Sequence, residues 1–191
     1  MKDSPTIYVM GDPILAKVCD EVSIDDILTN TSVHDAVQIA HRALDDFRKR
    51  VGFGRAIAAP QVGFALRFVA LNLPVKGAFT MFNPTITTRS VDTFTMWDDC
   101  LSFPHLMVCV RRHKHISVDY VDEKGVSKQW LDCPQDISEL LQHELDHLDG
   151  VLAVDVAVPP ARNPTSPSVV DRALWLAERE LHMTYVDDYV S

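Results

Sequence analysis

The segment "LLQHELDHLDG" (140–150) places two histidines four residues apart and a glutamate directly after the first. Residues four apart lie on one face of an α-helix, so His143 and His147 can bind one metal ion together. Glu144 would then lie close enough to serve as a general base for a water molecule activated by that ion. A solvated acidic helix is the alternative, but the H-E-x-x-H spacing favours a metal site.

The third ligand separates the possible classes of metalloprotein. The extended zinc-protease pattern H-E-x-x-H-x-x-G-x-x-H requires a histidine where this chain has Ala153. The nearest downstream glutamates, Glu178 and Glu180, lie beyond a proline-rich segment, which weakens the protease interpretation. Cysteines upstream are therefore the natural candidates. The residues alone leave three of them open: Cys100, Cys109 and Cys133.

Composition restricts the function further. The 191 residues are 47% hydrophobic and 24% charged, which is typical of one globular domain. The net charge is −9 and the basic runs are short, which argues against a nucleic-acid binder. We find neither a leader sequence nor an apolar stretch long enough to span a membrane. These features predict a cytoplasmic protein whose cysteines stay reduced.

Helical periodicity occurs at two places before residue 150. Apolar residues three and four apart predict a helix over 33–51, with Thr31 or Ser32 as its cap. A second helix opens near Pro134, with Asp132 as the expected N-cap, and it carries the two histidines. Gly150 is expected at the left-handed position that follows its last residue.

The middle of the chain is rich in short β-type runs. Turn residues separate them, which predicts antiparallel strands rather than parallel βαβ units. The predicted strands cover 66–73, 81–88, 92–97, 106–112, 115–122 and 125–131.

The end of the chain is proline-rich over 158–168 and then predicts an amphipathic helix over 169–183. The predicted fold class is α+β: antiparallel sheets packed around a central metal-binding helix, with one N-terminal and one C-terminal helix. We expect a catalytic domain over 1–157, with 158–191 forming part of the same domain.

Two further stretches give the central helix a context. "GRAIAAPQVG" (54–63) allows close backbone approach and offers the uncharged N–H donor of Gln61, although a tight turn into a strand explains it equally well. "WDDCLSFP" (97–104) puts Cys100 at the start of a loop. Together with 142–150, these stretches resemble the three signatures of the peptide deformylase family, G-h-G-h-A-A-P-Q, E-G-C-L-S and Q-H-E-x-D-H-L-x-G, over roughly residues 7–157.

The resemblance implies a metal-dependent hydrolase that removes the N-formyl group from the N-terminal methionine of newly made polypeptides. Glu144 becomes the general base and acid, while Gln61 and the backbone N–H of Leu101 become donors to the developing oxyanion. A related amidohydrolase acting on a different N-acyl amine or small peptide is the alternative function. The metal ligands implied by the resemblance are Cys100, His143 and His147.

The resemblance also implies the cofactor and the partners. The expected cofactor is one divalent ion. The resemblance implies Fe2+, with Zn2+, Ni2+ or Co2+ as substitutes. The expected partners are N-formylated nascent peptides, met near the ribosome. Neither nucleic acid nor a membrane is expected as a partner, and the expected oligomeric state is a monomer or weak dimer.

The sequence departs from the family pattern at several positions. Ala56 replaces a glycine, which would be strained if that position needed a positive φ. Asp98 and Asp99 replace the usual Glu-Gly, and Arg112 is the expected ion-pair partner of Asp98. The role of Asp98 would be to support the ligand loop rather than to take part in the chemistry.

Two further departures concern the substrate pocket. Arg55 and Glu139 stand where relatives carry apolar residues that line the methionine pocket. Either both lie in water at the rim, or they pair and make the pocket more polar. In both cases we expect a weaker preference for methionine over polar first residues.

Overall fold

The structure, a computed structural model, describes residues 4–187. It is an α+β fold, as predicted, and every pairing between its strands is antiparallel. Numbered in chain order, the strands are β1 Ala56–Ala58, β2 Phe68–Leu73, β3 Gly77–Arg89, β4 Thr93–Asp98, β5 Leu106–His113, β6 Ile116–Val121, β7 Ser127–Cys133 and β8 Val169–Asp171.

The strands form two sheets. The larger has the order β1-β2-β3-β6-β7 and the smaller has the order β4-β5-β8. All six predicted strands are present with shifted ends, and β3 begins four residues earlier than predicted, at Gly77. β1 and β8 are additional strands of three residues each, too short to show an alternating pattern in the sequence.

The helices are α1 Ile24–Thr29, α2 Thr31–Val51, α3 Gln135–Leu148, α4 Arg172–Ala177 and α5 Arg179–Met183. The long predicted helix before the strands is confirmed as α2, whereas the short α1 was not predicted. Asn30, rather than Thr31 or Ser32, caps α2: its Oδ1 accepts a hydrogen bond from Ser32 N at 3.0 Å. Within residues 4–187, no helix combines the length and apolar character needed to cross a membrane.

The helix α3 lies between the two sheets. Its apolar residues share a core with the larger sheet, and Ser138 and Gln142 tie it to β5. The carbonyl of His113 accepts hydrogen bonds from Ser138 Oγ at 2.8 Å and Gln142 Nε2 at 3.0 Å. Helix α3 therefore buries polar side chains as well as apolar ones. Because burying polar groups is costly, their presence indicates a functional site on this helix.

Both ends of α3 can be compared with the prediction. The predicted N-cap Asp132 is wrong: Pro134 occupies that position, and Asp132 itself has a left-handed φ of 48°. Gly150 follows the cap Asp149 with a φ of 73°, as predicted. A Cβ at Gly150 would also lie only 2.7 Å from the carbonyl oxygen of Ala16. Glycine is thus required at residue 150 for both conformation and space.

The predicted C-terminal helix over 169–183 is wrong in its continuity. Its first three residues form β8, because they pair with Leu106–Val108 of β5. Asp171 then caps α4, accepting from Ala173 N at 2.8 Å. The chain leaves helical geometry at Glu178 before α5 begins. Residues 1–3 and 188–191, which belong to the predicted ranges 1–157 and 158–191, lie outside the described residues.

Candidate metal centre

Three side chains that the sequence singled out converge at one point. Cys100 Sγ lies 3.2 Å from His147 Nε2, which lies 3.2 Å from His143 Nε2. The ligand atoms of all three residues are within 4.8 Å of one another. The three residues are 1%, 6% and 1% exposed, so water competes little for these atoms.

Local structure explains why the three residues meet. The spacing of four residues on α3 puts His143 and His147 on one helical face. Cys100 lies in the loop after β4, which turns sharply because Phe103 N donates to the carbonyl of Cys100 at 3.2 Å. Two N–H groups, from Ser102 N and Gln61 Nε2, each lie 3.4 Å from Cys100 Sγ. They are directed at the sulfur as they would be towards a thiolate ligand.

The other two candidate cysteines lie elsewhere. Cys109 is in the middle of β5 and is fully buried, and burial raises the pKa of its thiol to about 12. Cys133 ends β7, and burial raises the pKa of its thiol to about 11. Both therefore behave as apolar core residues.

Asp98 holds His143 in position. Its Oδ2 accepts a hydrogen bond from His143 Nδ1 at 2.9 Å, which leaves Nε2 available to a metal ion. Arg112 Nη2 also lies 3.3 Å from that oxygen, so the predicted ion pair is confirmed. Burial alone would raise the pKa of Asp98, but His143 and Arg112 outweigh it and hold the pKa at about 2. The Asp98 carboxylate therefore stays charged. It reaches both partners although its side chain is one methylene shorter than that of glutamate.

Arg112 has a second partner that the sequence did not reveal. Its Nη1 lies 2.5 Å from Asp146 Oδ2, directly before His147 in the chain. An arginine between two carboxylates connects β5, β4 and α3. The only sequence signal for Asp146 is that it lies on the same helix as the two histidines, directly before His147.

The second histidine is held differently from the first. His147 Nδ1 is buried and has no hydrogen-bond partner among residues 4–187, so this ring lacks a carboxylate partner of the kind that Asp98 gives His143. A soft sulfur and two imidazole nitrogens are a donor set that suits divalent iron, zinc, cobalt or nickel. The chemistry and burial of the donors therefore fit one divalent ion.

Glu144 lies beside these donors and is 3% exposed. Its Oε2 is buried and finds no partner within the described part of the chain. Burial raises the pKa of Glu144 to about 7, although His143 acts in the opposite direction. A carboxyl group in such surroundings can both accept and return a proton.

Gln61 is fixed by its own loop. Its Oε1 accepts from Ala58 N at 2.8 Å, and its Nε2 donates to Ser102 Oγ at 3.1 Å. Leu101, directly after Cys100, lines the adjoining cleft. Ala56, where the resemblance implies a glycine, lies in β1 with Leu71 as its strand partner, outside the left-handed region. The replacement therefore causes no backbone strain.

A cleft of about 320 Å³ opens beside His143 and Glu144. Arg55 and Glu139 line it and form an ion pair, while Arg55 Nη1 also donates to the carbonyl of Asp136 at 2.8 Å. Burial raises the pKa of Glu139 to about 7, with Arg55 opposing this effect. Of the two arrangements considered for Arg55 and Glu139, the structure has the paired one.

Comparison with known proteins agrees with these features. The family model described as polypeptide deformylase matches residues 5–163. The peptide deformylases of Thermotoga neapolitana and Treponema pallidum are 33% and 31% identical over 159 and 146 residues. The alignments cover 82% and 76% of this chain, and 88% and 83% of those proteins.

Solved structures are similar as well. The peptide deformylase of Thermotoga maritima gives a TM-score of 0.71 at 29% identity, covering 82% of this chain and 99% of that one. That of Synechococcus elongatus, in complex with actinonin, gives 0.71 at 28% identity, covering 82% and 81%. A family match over residues 5–163, relatives above 30% identity and this shared fold lead to one conclusion: the chain belongs to the peptide deformylase family.

Proposed function

We propose that this protein hydrolyses the N-formyl group from the N-terminal methionine of newly made polypeptides and releases formate. The observation that carries the proposal is a buried cluster of Cys100, His143 and His147. It lies beside Glu144, at the edge of an open cleft. Membership of the peptide deformylase family supports the same reaction.

The proposed metal ligands are Cys100 Sγ, His143 Nε2 and His147 Nε2. A thiolate and two neutral imidazoles would leave a divalent site with a net charge near +1. The bound ion would lower the pKa of a coordinated water and polarise the formyl oxygen. Asp98 supports the site because it fixes the ring of His143 through Nδ1.

Glu144 is the proposed general base and acid. Its unpartnered Oε2 can accept the proton that the attacking water loses, and the same atom can return that proton to the departing amine. Oε2 forms no hydrogen bond with another described residue, so it is available for both proton transfers. Burial raises the pKa of Glu144, which favours this exchange.

Gln61 and Leu101 are the proposed donors to the oxyanion. Gln61 Nε2 is held within 3.4 Å of Cys100 Sγ by a side chain whose oxygen is itself anchored at Ala58 N. Leu101 N–H follows Cys100 directly in the chain. A donor held beside the reacting carbon can stabilise the charge that develops on the formyl oxygen. Both N–H groups of Gln61 contact Cys100 Sγ and Ser102 Oγ in this structure, so one of them would leave its contact to reach the oxyanion.

We propose Fe2+ as the metal, with Zn2+, Ni2+ or Co2+ as functional substitutes. The resemblance to the family implies iron, although one sulfur and two imidazoles accept all four ions and the general affinity order favours the later metals. Anaerobic purification followed by metal analysis tests this choice.

The proposed substrates are formylated nascent chains met near the ribosome, so we propose a cytoplasmic location.

A formate-release assay tests the function. The metal-loaded protein should release formate from a formyl-Met peptide and leave the acetyl-Met peptide of the same sequence intact. Hydrolysis of the acetyl peptide, with the formyl peptide untouched, would instead support the alternative amidohydrolase.

A further inference from the structure

The C-terminal segment 164–187 lies beyond the family match, yet it returns to the metal centre. β8 pairs with the beginning of β5, and Trp175 and Val186 share a buried cluster with Trp97 and Met107. This packing brings Arg172, the first residue of α4, beside the loop that carries Cys100.

Arg172 contacts two different loops. Its Nη2 lies 2.6 Å from Asp99 Oδ2, and its guanidinium carbon lies 4.1 Å from the ring centre of Phe53. The Arg172 side chain is 21% exposed and that of Asp99 34%, so water screens this ion pair only in part. Asp99 directly precedes Cys100, and Phe53 lies between α2 and β1. Both Phe53 and Asp99 line the catalytic cleft, so one guanidinium joins two parts of its wall.

Two neighbouring aspartates thus hold the ligand loop through different partners. Asp98 is tied to His143 and Arg112 in the interior, whereas Asp99 is tied to Arg172 of the C-terminal segment. The two restraints are independent, because the Asp99 pair includes neither of the groups that hold Asp98. Cys100 follows Asp99 directly, so both restraints limit where its sulfur can lie.

We infer that Arg172 is a positioning residue for the metal centre. The C-terminal segment uses Arg172 to hold the Asp99–Cys100 loop against Phe53, and so keeps the Cys100 thiolate directed at the two histidines. The inference rests on the proposed ligand set. It gives residues 164–187 a part in metal retention that the family match over residues 5–163 does not include.

Metal retention is the direct readout. Zinc-loaded full-length protein is mixed with excess chelator, and the rate of zinc loss is measured without substrate. We expect Arg172→Ala to lose zinc roughly 3- to 10-fold faster, the range for losing one partly screened ion pair and one cation–π contact. Asp99→Asn should act in the same direction. The double variant should be no faster than the faster single variant, because both changes remove one shared contact.

Matched variants separate positioning from general destabilisation. Arg172→Lys keeps the charge for Asp99 but loses the planar stack on Phe53, so it should restore part of the retention. Arg179→Ala is the control, since Arg179 lies in the same segment with its guanidinium carbon 5.8 Å from the Trp175 ring centre. Its zinc loss should match that of the wild type.

The outcomes are distinct. Wild-type rates in Arg172→Ala and Asp99→Asn, additive effects in the double variant, or equal acceleration by Arg179→Ala would each overturn the inference. If Arg172→Ala folds poorly, the partly exposed Asp99→Asn decides alone. Absence of zinc binding by the wild type would overturn both the ligand set and this inference. Zinc retention as expected without formate release would reject only the proposed reaction.

Discussion

Arg55 and Glu139 form an ion pair at the wall of the cleft that leads to Glu144. Glu139 is 3% exposed, whereas Arg55 reaches towards solvent and also donates to the carbonyl of Asp136. The wall of the cleft therefore presents a partly buried charge pair. The pair bears on which side chains the cleft can accept.

The first prediction concerns substrate preference. A polar wall should favour methionine less than an apolar slot would, because each apolar pocket contact contributes roughly 1–3 kcal/mol to discrimination. We expect kcat/KM for a formyl-Met peptide to exceed that for a formyl-Gln peptide by less than ~100-fold. The double variant Arg55→Leu/Glu139→Leu should raise the methionine preference. A wild-type preference above ~100-fold would mean that the ion pair lies outside the part of the cleft that binds this side chain.

The second prediction concerns stability and pH. The pKa of Glu139 is raised from 4.5 to about 7 by burial, with Arg55 opposing the shift. The folded state therefore binds this proton more tightly than the unfolded state. Its stabilising contribution is fully present below pH 4.5 and is lost as the pH rises through about 7.

Glu139→Gln removes the titratable carboxyl group, so it serves as the reference for the pH dependence of stability. The free energy of unfolding of the wild type minus that of Glu139→Gln should fall between pH 4.5 and about 7, and then level off. Urea unfolding of both proteins, at equal metal loading, measures this difference. A difference that increases with pH over this window is the opposite sign and would contradict the burial argument.

The third prediction assigns the sulfur ligand. Cys100→Ser should lose bound metal, while Cys109→Ser and Cys133→Ser should each keep about one equivalent. The reason is location, because only the first sulfur lies among the histidine nitrogens in the described structure. Metal analysis after gel filtration measures the retained ion, and thermal melting reports whether each variant is folded. A folded Cys100→Ser protein with a full equivalent would rule out this ligand set.

The sequence predicted the elements whose pattern is local. The periodicity over 33–51 indicated α2, and the spacing of His143 and His147 indicated their shared helical face. Six strands were also predicted, because alternating residues and turns mark their limits. The roles of Glu144 and Gln61 in catalysis came from the family resemblance and remain proposals.

The errors arose where distant residues decide the structure. Val169–Asp171 form a strand because Leu106–Val108 of β5 offer them an edge, and nothing in their own pattern predicts this pairing. Arg172 acquired its contact with Asp99 in the same way, since 73 residues separate the two along the chain. Asp132 was expected to cap α3, but its left-handed backbone places it before the cap. Side-chain partners of this kind follow from the assembled fold alone.

The most direct measurement of the central claim compares Glu144→Gln with the wild type in formate release and metal content. Glutamine keeps the shape of Glu144 and leaves the three proposed ligands untouched, but it cannot accept the proton from water. We expect a full equivalent of metal and a loss of about 10²–10⁴-fold in kcat. A loss of only ~10-fold with the metal retained would contradict the proposed acid–base role of Glu144.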